Sequence, residues 1–202
     1  MINLLYLLLI PIYFAMAWLF PWKDYQIDST ISISYIWDIL FCILVSLLLK
    51  TPFKINLNKG FIIRAPLLAL MALLCVYIAK WTNLNAPFRY IENLAMQIII
   101  LAPLIEELVF RHALYEVIKK SKLKMLFQYI LGSLLFSLSH APAIYYLPAD
   151  FHGFIYFQLI YTFILGWIII KARERSDSLL EPIVLHFIFN FIFYLSVKYS
   201  LI

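Results

Sequence analysis

Apolar residues in this chain come in long runs broken by short polar stretches, not in the spaced stripes of helices that are half exposed to water. The runs are Ile2–Phe20, Ile31–Leu49, Phe61–Ala79, Leu94–Tyr115, Met125–Ala141, Phe154–Ile170 and Leu179–Val197. A helix needs about 20 apolar residues to cross the hydrocarbon core of a bilayer. The pattern therefore predicts an all-α fold, a polytopic transmembrane helix bundle of about seven spans with short loops and no extramembrane domain. Ala15-Met16-Ala17 gives the first run the look of a signal peptide. It lacks a basic leader and exceeds the usual apolar length of one, which favours a retained span.

Composition narrows the class further. Of 202 residues, 65% are apolar and 13% charged, against about half and a quarter in an average soluble domain. A water-soluble chain of this size could not bury so much apolar side chain, and intrinsic disorder is excluded by the same figures. A net charge of only +5 with 18% aromatic residues excludes nucleic acid as a partner. Cys42 and Cys75 each sit inside an apolar run, as small core residues and not as a disulfide framework or zinc knuckle. No P-loop, dinucleotide fingerprint or internal repeat is present.

Charge sets the expected orientation. With a cytoplasmic N-terminus, the inner loops hold Lys50, Lys54, Lys59 and Arg64, then Arg111, Lys119, Lys120, Lys122 and Lys124, then Lys171, Arg173 and Arg175. Only Lys23, Lys80, Arg89 and Lys198 remain outside, a clear positive-inside bias. Lys119–Lys124 reads as a solvated anchor.

Ionisable groups inside spans are costly and raise a functional hypothesis by default. The fourth run carries Glu106-Glu107-Leu108-Val109-Phe110-Arg111. Glu107 and Arg111 stand at i and i+4, where an ion pair forms along one helix face. Glu106 is turned about 100° away and is left to accept a proton, as a general base must. Phe136 and His140 end the fifth run at i and i+4, and His186 and Asn190 share a face of the seventh. Taken singly, each His reads as a hydrogen-bonded structural residue, and the glutamates as the wetted end of a helix. Together on three spans, they are satisfied only by facing one another or a wet cavity. His112 and His152 read as solvated loop residues, Asp38 has no sequence partner, and Glu181-Pro182 reads as the start of the last helix.

EExxxR, FxxxH and HxxxN, in that order on successive spans, resemble the CPBP family of glutamic-type intramembrane proteases, also called the CAAX-protease and bacteriocin-processing or Abi family. The resemblance covers Leu94 to Val197 and looks most like the bacterial branch. It implies variable N-terminal transmembrane helices over 1–92 and a catalytic helical core over 93–202, within one integrated membrane domain. It implies that Glu106 activates water for attack on a peptide bond while Glu107 and Arg111 hold Glu106 in place. His140 and His186 would polarise that water or protonate the leaving amine, and Asn190 would stabilise the oxyanion. No cofactor is expected. Zinc is the alternative, since two His and a Glu can hold it, although HExxH is absent. The implied partners are the lipid bilayer and a membrane-associated peptide or protein cut near its terminus. The implied location is the bacterial cytoplasmic membrane.

Two other classes compete: a non-catalytic scaffold or bacteriocin self-immunity protein, and a transporter with a proton relay, which usually shows repeats that this chain lacks. Straight helices over the seven runs also pose a problem of depth. They place Glu106 mid-span, His140 near the outer end of its span and His186 near the inner end of its own, too far apart for one cluster at about 1.5 Å per residue. Reconciling them requires different span limits with the Lys119–Lys124 stretch dipping or helical, strong tilt, or another topology.

Overall fold

The structure, a computed structural model, describes residues 4–20, 33–90 and 95–199, and within them each of the seven apolar runs contains a helix. Ile2, Ile31 and Leu94, which open three of the runs, and Lys23 lie outside the described residues. The helices are α1 (Leu9–Leu19, led in by the 3-10 turn Leu4–Leu8), α2 (Ser34–Leu49), α3 (Phe61–Trp81), α4 (residues 96–120), α5 (Met125–Leu138), α6 (His152–Ser176) and α7 (Leu180–Lys198). Among the described residues there is no strand. Phe61–Trp81, Ala149–Ser176 and Leu180–Lys198 are long and apolar enough to cross a membrane by themselves, while α1 and α2 are shorter. Side chains such as Ile62, Ile63 and Leu70 of α3 point outward, as they do on a surface that meets lipid and not water.

α4 is the irregular element. It alternates π-helical and α-helical turns over Met96–Leu101, Ala102–Glu107, Leu108–Leu114 and Tyr115–Lys120 without a break. Pro103, which has no N–H, sits just after the first π segment. The Ala102 N–H reaches back five residues to the Gln97 carbonyl. In that register the Ile98 carbonyl would be served by residue 103, the proline, so it is left open. The Asn190 side chain fills it, Nδ2 donating to the Ile98 oxygen at 2.9 Å. A sequence irregularity in α4 thereby fixes α7 against it.

Successive helices from α4 to α7 run antiparallel. Phe110 meets Phe136 while Tyr115 lies beside Gly132. Ser137 of α5 donates to the Leu159 carbonyl of α6 at 2.6 Å. At Gly166 a Cβ would stand 3.1 Å from Ser133 Cα, so α5 and α6 approach more closely there than a larger residue permits. One apolar core joins all seven helices, from Phe14 in α1 and Phe41 in α2 to Phe136 in α5 and Phe189 in α7. The buried Tyr13 hydroxyl donates to Asp38 Oδ1 at 2.9 Å, giving Asp38 the partner that its sequence neighbourhood does not show.

The starts of α3 and α7 are bolted together. Arg64 is not a loop cation: it lies in the first turn of α3, and its Nε donates to Glu181 Oε1 at 2.6 Å. Glu181 opens α7 as expected and is fully buried. Its Oε2 accepts the Asn58 N–H at 3.1 Å. Nearby, the Leu179 N–H donates to the Lys54 carbonyl, the Asn56 N–H donates to Ser178 Oγ, and Lys54 pairs with Asp177.

Two expectations about solvated residues are corrected. His112 is buried inside α4, because the helix continues past Tyr115 to Lys120. The Ser46 hydroxyl donates to the Cys42 carbonyl, so His112 Nε2, 2.9 Å away, is the donor to Ser46 Oγ. His152 is half-buried at the start of α6 and donates from Nε2 to the Leu147 carbonyl at 3.1 Å. In the basic stretch, Lys120, Lys122 and Lys124 are exposed, in keeping with a solvated anchor, while Lys119, on the last turn of α4, is tied to Glu174 at 3.0 Å.

Candidate active site

The expected mismatch in depth disappears because α5 is short and α4 is long. Phe136 is level with Arg111, whose Cζ lies 4.2 Å from the centre of its ring. His140 follows four residues later in the turn after α5, and Glu106 precedes Arg111 by five in the antiparallel α4, so the two arrive at one height. His186 lies one and a half turns into α7 and meets Glu107. The cluster therefore forms where α5 ends, partway along α4.

Glu107 and Arg111 are both fully buried, with Nη1 3.1 Å from Oε1. The same Oε1 accepts a hydrogen bond from His186 Nδ1 at 2.7 Å. The pair thus holds His186, not Glu106 as expected from the sequence. This bond fixes the imidazole, with Nδ1 as donor and Nε2 turned towards the neighbouring carboxylate. His186 Nε2 lies 3.7 Å from Glu106 Oε2. Glu106 makes no hydrogen bond among the described residues, and 27% of its side chain is exposed where Glu107 shows none.

Phe136 organises the site more than its place in the motif suggests. It is buried and meets Arg111 with its face; the rings of His140 and His186 stand near-perpendicular to it at 5.3 and 5.7 Å. Arg111 and both imidazoles are therefore packed against one rigid ring. His140 is anchored through Nδ1, 3.0 Å from the Phe136 carbonyl and 3.3 Å from Ser139 Oγ. Asn190 has one amide hydrogen committed to the Ile98 carbonyl, which leaves the other free.

Glu106, His140, His186 and Asn190 all line one cavity of about 180 Å³. That is room for several waters or a short stretch of peptide. Glu107 and Arg111 stand behind its wall. Gln158 and Tyr161 of α6 also line it; sequence reasoning passed over both, since a lone Gln and a Tyr in an apolar run carry no motif. Among the described residues, no three His, Cys, Asp or Glu side chains are grouped so as to hold a metal ion.

A helical membrane bundle with a buried carboxylate–imidazole cluster on a cavity is the class that fold and site define. The family of type II CAAX prenyl endopeptidases, Rce1-like, matches residues 93–192, a stretch that contains all six candidate residues. Over that segment the chain belongs to the Rce1-like family. This places it among the membrane peptidases, with the lipid bilayer as its setting and a peptide or protein as its substrate. No curated protein and no solved structure matches the chain.

Proposed function

We propose that the protein is an intramembrane endopeptidase that cuts a membrane-associated peptide or protein near its terminus with water activated by Glu106. One observation carries this reading: of two adjacent carboxylates, Glu107 is locked to Arg111 and His186, while Glu106 is unbonded and lines the cavity. A water between Glu106 and His186 Nε2 gives its proton to Glu106 as its oxygen attacks the carbonyl carbon. The free Asn190 N–H donates to the oxyanion of the tetrahedral intermediate. The C–N bond then breaks as a proton passes to the leaving amine from Glu106 or from a protonated His140 or His186. No metal takes part in this scheme, and activity should survive chelators. The N-terminus is cytoplasmic, the membrane is a bacterial cytoplasmic membrane, and residues 93–202 form the catalytic part.

A second reading has an observation in its favour. Glu107 Oε1 joins Arg111 and His186 into one buried cluster, an arrangement that would equally serve packing alone in a scaffold or immunity protein. Comparing peptide termini in host membranes carrying wild type or Glu106→Gln at matched abundance separates the two. Termini that vanish only in the variant establish the peptidase and name its substrate. Identical termini, with both proteins folded, favour the scaffold.

A further inference from the structure

The inner face of α6 runs through Phe154, Gln158, Tyr161, Thr162 and Leu165, while Ile160 and Ile164 turn outward. Gln158 thus brings an uncharged primary amide into the same cavity as Glu106, His186 and Asn190, on a wall formed by another helix. Its backbone carbonyl is already engaged by the Thr162 hydroxyl at 2.7 Å. Its side-chain amide makes no hydrogen bond among the described residues. Asn190, the other cavity amide, differs in having a fixed partner. An amide carried on an apolar helix without a protein partner is costly unless what enters the cavity completes it.

We infer that Gln158 is a substrate-positioning residue that binds the main chain of the peptide next to the bond being cut. The inference rests on the peptidase reading above. A primary amide offers an acceptor oxygen and donor hydrogens in one plane, which matches the N–H and C=O groups of an extended main chain. It neither carries charge nor moves protons, so its effect falls on binding and register and not on the chemical step. The contact also suits an enzyme whose substrate loses main-chain hydrogen bonds when it enters the membrane unfolded.

The test uses the full chain in lipid nanodiscs and a synthetic peptide spanning the terminus that Glu106→Gln membranes lose. Gln158→Leu keeps the volume and removes both donor and acceptor, and should raise KM about tenfold with kcat little changed. Esters placed one at a time along the peptide should identify one amide whose replacement costs wild type a similar factor but costs Gln158→Leu nothing. A wild-type KM in Gln158→Leu while Glu106→Gln is inactive overturns the role of Gln158 alone, with water as the amide's only partner. So do ester penalties that are the same in both proteins. If Glu106→Gln membranes lose no terminus, the peptidase reading fails and this role falls with it.

Discussion

Two of the buried acid–arginine pairs in the bundle are built differently. Where α3 and α7 begin, both oxygens of Glu181 are used: Arg64 takes one and the Asn58 N–H the other. In the middle of the bundle, Arg111 and His186 both crowd onto Glu107 Oε1, and Oε2 has no hydrogen-bond partner among the described residues. The next carboxylate, Glu106, opens onto the cavity. Burial costs both pairs their hydration, but the first returns only a joint between segments. The second holds an imidazole in one tautomer beside an uncommitted carboxylate. Buried charge marks chemistry where the groups are left incompletely used and touch open space, not merely where they are buried.

Substitutions can break that contrast, and the largest effect is expected at the cavity. Glu106→Gln should lower the cleavage rate by about 10²–10⁴-fold and leave the melting temperature unchanged, since this side chain has no hydrogen bond to lose. Arg111→Met should act through stability, because it leaves Glu107 buried without its cation, at about 3–5 kcal/mol. Thermal melting in detergent checks it, and Glu107→Gln added to Arg111→Met should recover part of the loss. Arg64→Met should cost somewhat less, about 2 kcal/mol, because water at the membrane edge can reach the freed carboxylate. Cleavage per folded molecule should then stay near wild type.

The smallest effect belongs to Lys54–Asp177, an exposed pair beside the Arg64 joint. Its hydrogen bond to Lys54 holds the Asp177 carboxyl below its ordinary value. A depressed carboxyl contributes stability above the unfolded value of about 3.9 and loses it as the pH falls through the lower folded value. Exposure limits the contribution to under about 1 kcal/mol. Asp177→Asn should therefore lower the melting temperature slightly at pH 7, and the difference should vanish in strong acid.

The helices were legible because the apolar runs are long and each yields one helix. Glu106, Glu107, Arg111, His140, His186 and Asn190 stood out because charge and imidazole are rare in such runs, and four of them do line one cavity. Local spacing identified the Glu107–Arg111 pair but not its partner, since His186 lies 79 residues away. The same distance in sequence hid the joint between Arg64 and Glu181, which are 117 residues apart. The depth of the site was not legible, because nothing in the apolar runs marks that α4 continues to Lys120 while α5 stops at Leu138. His112 was placed in solvent for the first of those reasons. Gln158 was invisible because an isolated amide has meaning only once the cavity around it is known.

In the picture drawn by these contacts, Glu106 works while Glu107 holds. Cleavage rate and melting temperature, measured on the same purified preparations of wild type, Glu106→Gln and Glu107→Gln, test it most directly. Glu106→Gln should lose its rate and keep its melting temperature, whereas Glu107→Gln should melt earlier. A Glu106→Gln protein that cleaves at the wild-type rate, or two variants whose rate and melting temperature fall together, would contradict it.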